Sequence, residues 1–300
     1  MPKGFPNATG GYAIYANSVV ESEKACVSRC RDVALIAVEH EDDPTSALAA
    51  EFVPRLQADL FCESEDWQVR VVDKGAATKE CLQQHLGGPE TACITFLVSH
   101  GAKYMPGHPR RRNFEGAIIT ADWPGFKHWR GPLRSEHLFS SDDVATTGDL
   151  QGAIFFLLAC SSAGAWAVES FMFPSTEKPQ PQGEDFVASL PKKLLGSAPG
   201  GALAVIGHIG TTWQMSLEWA DAGLQPQTIS TLLRSLMAGQ PVGMAMHSLT
   251  RRYAELACVM IDLVADDLSV SSADRSHMWA ATMDARDYII LGDPAVNIGN

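Results

Sequence analysis

The chain has 300 residues, 46% of them apolar, enough to bury a sizeable core, and a formal net charge of −12. That sign argues against binding nucleic acid directly, because phosphates demand a basic surface, and against docking on anionic membranes. The longest apolar stretch, around Gly152 to Ala163, is too short to span a bilayer, and the N-terminus carries no apolar segment of the secretory kind. A cytoplasmic protein is expected. The seven cysteines (Cys26, Cys30, Cys62, Cys81, Cys93, Cys160 and Cys258) are odd in number and show no framework spacing, which suits free thiols in a reducing compartment. Cys26 and Cys30 share a CVSRC spacing, but no second pair completes a zinc site, so no metal is expected.

Taken in order, short β-rich runs alternate with helical stretches, the pattern of a mainly parallel six-stranded sheet with helices on both faces. The first strand is expected at Val33 to Glu39, followed by a helix over Ser46 to Leu60, whose apolar residues recur near the helical period. The second strand is Trp67 to Val72, then a short helix from Lys79 to Leu86; the third is Cys93 to Ser99, running into His100-Gly101. Gly116 to Thr120 reads as a minor strand or hairpin. The fourth strand, Ala153 to Ala159, leads into Cys160. Residues Pro174 to Gly183 are Pro-rich and polar and read as a mobile loop. Helices are expected at Glu184 to Leu195, Gln227 to Ala238 and Val242 to Val264, with strands at Gly200 to Gly207 and Tyr288 to Leu291. No linker divides the chain, so one domain over 1–300 is expected, with 1–31 an N-terminal extension.

In parallel α/β sheets, sites gather beyond the carboxyl ends of the strands. If the third and fourth strands are neighbours, His100 and Cys160, 60 residues apart in sequence, face one crevice. An imidazole beside a thiol is the minimal arrangement for nucleophilic acyl transfer. A helix beginning just after Cys160 would lower its pKa further, from about 8.5 toward roughly 3.5–7.5. Gly101 and the small residues after Cys160 let backbone N–H groups approach a developing oxyanion.

The run LVSHGAKY resembles the His-Gly turn of the caspase-like superfamily, which includes caspases, metacaspases, gingipains, separase and the bacterial CHAT peptidases. FFLLACSSAGAW resembles its nucleophile turn. GGALAVIGHIGTTW and YIILGDPAVNI are similar to the fifth and closing strands of the CHAT and gingipain branch. The four segments occur in the expected order from about Cys93 to Ile298, whereas residues 1–90 fit only through a generic β-α-β pattern. The resemblance implies a caspase-like fold and a cofactor-free cysteine endopeptidase, with His100 as general base and Cys160 as nucleophile. It further implies an oxyanion hole from the backbone N–H groups of Gly101 and Cys160, and a groove lined by Trp213 and the stretch His208 to Thr212. An acidic pocket residue among Glu39, Glu41, Asp42 and Asp43 would favour Arg or Lys before the cut; Asp42 and Asp43 are the candidates, against the plainer alternative of a solvated acidic loop. Leu158 stands where metacaspases carry a pocket Asp, and no third catalytic residue can be named. The family also implies a protein substrate and an activating protein partner within a bacterial defence or cell-death module. The alternatives are an inert scaffold of the same fold that binds protein partners, and a nucleotide-binding domain, disfavoured because GGALAVIGHIG lacks the phosphate-binding spacing. Asp293, before Pro294, is expected to cap a turn.

Overall fold

A computed structural model describes residues 8–24, 30–41, 43–61, 66–72, 74–145, 148, 150–167, 184–219, 223–265 and 271–299. The main sheet has six strands: β1 (Asp32–Ala37), β2 (Gln68–Val72), β3 (Ile94–Val98), β4 (Ile154–Leu158), β5 (Ala204–His208) and β6 (Tyr288–Gly292). Their order is β6-β5-β4-β3-β1-β2, all parallel except β6, which runs antiparallel to β5. Among the helices of two turns or more are α1 (Ala8–Lys24), α2 (44–61, with a π-helical turn at Leu48–Phe52), α3 (Lys79–His85), α4 (Ser189–Leu195), α5 (Gln227–Met237), α6 (His247–Ala265) and α7 (Ser272–Arg286). The expected α/β architecture and both-sided helix cover are present.

The inner strands are mostly apolar because both their faces are covered. Val33, Leu35 and Ala37 of β1 face one side, where Phe52, Leu56 and Leu60 of α2 and Leu232, Leu233 and Leu236 of α5 pack. Ala34 and Ile36 face the other, against Leu82 of α3 and Leu190 and Leu194 of α4. The alternation along one strand therefore builds two cores at once. The edge strand β2 is partly exposed, as its charged and polar residues require.

Several boundaries differ from expectation. The N-terminal segment is not a mere extension: α1 docks on the sheet, with the Tyr15 hydroxyl donating to the Leu203 carbonyl (2.9 Å) and Ser18 Oγ accepting the Gly201 N–H (2.8 Å). Two adjacent glycines, Gly10 and Gly11, weaken the sequence signal for that helix. Helix α4 begins at Ser189 rather than Glu184, because Phe186–Val187 pair with Gly164–Ala165. The stretch from Val242 divides into a turn at Val242–Ala245 and α6. Strand β5 starts at Ala204, four residues later than expected. Helix α7 had no counterpart in the sequence reading; its packing face on α6 is small, carried by Met278, Ala281 and Ala285. The stretch 174–183 lies outside the described residues. No described helix is long and apolar enough to cross a membrane.

Candidate functional site

The sheet order turns back at β1: the chain goes to β2 on one side and then to β3 on the other. The crevice beyond the carboxyl ends of β1 and β3 is therefore the switch point where α/β sheets form sites. The chain leaves β1 through His40 and Asp43, and leaves β3 through His100. The pairing Val98↔Leu158, continued by the Ser99 N–H to Leu158 carbonyl bond (3.2 Å), sets His100 and Cys160 at matching positions beyond adjacent strands.

Asp43 is the N-cap of α2. Its Oδ1 accepts from the Thr45 N–H and hydroxyl (2.9 Å each) and from His100 Nε2 (2.7 Å). The side chain is 2% exposed and its second oxygen, Oδ2, has no partner. Burial alone would raise this carboxyl's pKa, but the hydrogen bonds from His100 and Thr45 outweigh it and hold the group at about 2. The carboxylate is thus ionised at neutral pH, His100 holds its proton on Nε2, and Nδ1 is left as the basic nitrogen. Asp43 was expected to bind substrate; the structure instead turns it inward onto His100, because capping α2 fixes its direction. The signal was legible in Asp43-Pro44-Thr45, an N-cap followed by proline at the first helical position. Asp42 lies outside the described residues, and Glu41, from the same acidic run, pairs with Lys127 and His128 (3.1 Å each).

His100 stands among aromatic rings that the sequence did not single out. His40 stacks on it (centroids 5.8 Å apart, planes at 20°), and Trp123 and Phe126 meet it edge-on at 6.3 and 6.0 Å. Trp123 and Phe126 come from the segment between two short paired strands, Ile118–Ile119 and Leu138–Phe139, which covers this end of the sheet. His40 is buried, and its Nε2–H donates to the Thr120 carbonyl (3.0 Å). Burial lowers its pKa, the neighbouring His100 adds to the effect, and the Thr120 bond opposes it.

Cys160 is partly exposed, and its thiol donates to the Thr212 carbonyl (3.6 Å). No helix begins within the described residues 161–167, so the dipole that a helix there would supply is absent from this turn. Ser161 takes a left-handed conformation (φ 53°), its N–H is spent on the Gly210 carbonyl (2.8 Å), and the chain enters the two-residue strand Gly164–Ala165. Gly101 packs so closely that a Cβ there would lie 1.8 Å from the Cys160 carbonyl oxygen. Gly101 pairs with Ile118 through its neighbours: Ile119 N–H donates to the His100 carbonyl (3.0 Å) and Ala102 N–H to the Ala117 carbonyl (2.8 Å). In that pattern the N–H of Gly101 itself points away from Ile118. Gly116, at φ +74°, makes the same kind of approach to the next residue, where a Cβ would lie 2.0 Å from the Ser161 carbonyl oxygen.

The loop after β5 divides in two. His208 was expected beside the groove but is fully buried, its Nε2–H donating to the Asp284 carbonyl (3.2 Å) and its Nδ1 accepting the Gly210 N–H (3.1 Å). Asp284, on α7, is raised in pKa by burial, opposed by His208, and accepts the Trp213 N–H (3.2 Å). The Trp213 side chain is 40% exposed beside this anchored backbone, and Thr212 presents its carbonyl to Cys160. Asp293 caps its turn as expected, accepting the Ala295 N–H (2.8 Å).

No family model matches the sequence, and no curated protein matches it. Among solved structures, one described as "Structure of Protease" matches with a TM-score of 0.50 and 13% identity, over 97% of this chain and 54% of that chain. At that identity the likeness speaks for the fold: α/β, with a six-stranded, mostly parallel sheet, compatible with a caspase-like fold. The chain spans about half the length of the protein it matches.

Proposed function

We propose that the chain is a caspase-like cysteine endopeptidase in which Cys160 is the nucleophile, His100 the general base and Asp43 the residue that positions the base. The observation that carries this reading is the 2.7 Å contact of His100 Nε2 with a buried carboxylate, at the strand position matching Cys160. That contact fixes the imidazole's tautomer and leaves Nδ1 as the nitrogen available to a thiol, the logic shared by nucleophile–base–orienter sites. In the forward step the Cys160 Sγ–H proton passes to His100 Nδ1 as sulfur bonds to the scissile carbonyl carbon. The carbonyl oxygen becomes an oxyanion, received by the backbone N–H groups of Gly101 and Cys160. As the carbon–nitrogen bond breaks, His100 returns the proton to the leaving amine. Water, deprotonated by His100, then splits the thioester and restores the thiol. Trp213 and Thr212 border the substrate's path. The reading includes a protein substrate and an activating protein partner, as in bacterial defence modules. Asp43, engaged by His100, is not a specificity residue in this reading, and of the acidic pair Asp42 alone is kept as a substrate-binding residue.

The test is a peptide-library cleavage profile of the wild type beside Cys160→Ala and His100→Ala. Cleavage should fall to background in both variants while circular dichroism stays unchanged, and an electrophilic peptide should label Cys160 alone. A folded Cys160→Ala protein that still cleaves would overturn the assignment.

A further inference from the structure

His40 has no task in the proposed chemistry, yet it is buried beside both His100 and Asp43. One ligand-type atom each from His40, Asp43 and His100 lies within 4.8 Å of the other two. Two features make this more than a catalytic contact with a neighbour. Asp43 Oδ1 already serves Thr45 and His100, while Oδ2 is buried without any partner, a costly state for a charged oxygen. His40 is held by the bond of Nε2–H to the Thr120 carbonyl, which leaves Nδ1 as an unprotonated lone pair. Thr45 Oγ1 lies 3.5 Å from that lone pair, and its proton already goes to Asp43. A histidine whose far nitrogen is anchored on a backbone carbonyl is the usual form of a metal ligand.

We propose that His40 Nδ1, Asp43 Oδ2 and His100 Nε2 form a binding site for a late divalent cation of the zinc type, and that its occupation switches the peptidase off. Two imidazoles and one carboxylate with an open position are a donor set zinc accepts. Ligand atoms around a tetrahedral zinc stand roughly 3.3 Å apart; one ligand-type atom from each of the three residues already lies within 4.8 Å of the others, so side-chain rotations bring the donors to that spacing. His100 is the partly exposed member of the three, with its side chain 26% exposed, and gives the ion its entry. For His100 to coordinate through Nε2, its proton must move to Nδ1, the nitrogen that would otherwise accept the thiol proton. The bound ion therefore leaves the base in the wrong tautomer. This inhibition rests on the reading above; the site does not.

The experiment separates the two. Zn²⁺ binding to the full chain is measured by competition with a chelator, and Co²⁺ binding by its visible absorption, both without substrate. One ion per chain should bind, at least tenfold more weakly in His40→Gln and in His100→Gln, with affinity unchanged in Cys160→Ala and no cobalt–thiolate band. Zn²⁺ should also suppress peptide cleavage by the wild type, with recovery on chelation. Absent binding, binding equal in folded His100→Gln, or binding lost in Cys160→Ala would each overturn the site. His100→Gln decides the matter if the buried His40→Gln substitution does not fold. Binding that meets these criteria in a protein without peptidase activity would leave the site standing and remove the inhibition alone.

Discussion

At the scale of single residues, Asp43 joins two roles that sequence alone presents separately: helix cap and partner of a histidine. Its carboxyl is held at about 2 against an ordinary value of 3.8. A depressed pKa stabilises the fold above the unfolded value and is lost as pH falls through the folded one. The shift corresponds to about 2 kcal/mol, present above roughly pH 4 and disappearing toward pH 2. Asp43→Asn should therefore lower the urea-unfolding free energy by about 2 kcal/mol at pH 7, with the gap to wild type closing below pH 4. It should also cut kcat/KM at least tenfold, because an amide can present its NH₂ group instead of an acceptor and release the imidazole. His40 works in the opposite range. Its lowered pKa means that its contribution is complete above the ordinary value of about 6.5 and declines as pH falls below it. Replacement by Gln should flatten the loss of stability between pH 7 and pH 5, as followed by thermal unfolding.

At the scale of elements, the turns that hold Cys160 and Gly101 are packed backbone against backbone. Gly101→Ala would drive a methyl into the Cys160 carbonyl, so one of the two strand ends must shift. The expected result is a destabilisation of about 1–3 kcal/mol and a loss of cleavage exceeding a hundredfold, since the shift moves the reacting groups relative to each other. Denaturant unfolding and kcat/KM measured on one preparation would show whether activity falls further than stability. Away from the site, Leu233 of α5 is fully buried against the sheet. Leu233→Ala should cost about 2–5 kcal/mol in the same unfolding measurement, with kcat of the remaining folded enzyme nearly unchanged.

At the scale of the whole molecule, distant parts of the sequence close on one another. Helix α1 reaches the start of β5 through Tyr15 and Ser18, and Tyr15 also accepts the Asp293 N–H just beyond β6. Tyr15→Phe removes the hydroxyl that joins these points and should cost about 1–3 kcal/mol, because the partners it leaves are partly buried. A calorimetric scan should show one cooperative transition moved to lower temperature in that variant. A separate early transition, unchanged by the substitution, would mean that α1 is not part of the cooperative unit. In the same way Asp284, on α7, holds the Trp213 backbone, so the loop after β5 is tied to a helix 71 residues further along the chain.

The sequence by itself determined the sheet. Strands β1, β3, β4 and β5 are mostly apolar because they are buried on both faces, and that pattern is local. It also marked His100, Gly101 and Cys160, since residues that follow such strands in small-residue turns have few places to go. It left α1 and α7 unseen, because Gly10-Gly11 and a face built on alanine give too little periodic signal. Only the tertiary structure decided which neighbours those residues acquire. The capping geometry of α2 turns Asp43 from an acidic loop residue into the partner of His100, and the left-handed turn at Ser161 leads the chain after Cys160 into a short strand. Burial turns His208 inward onto Asp284 and brings His40 beside His100. Each of these depends on contacts between segments dozens of residues apart, which no spacing along the chain encodes.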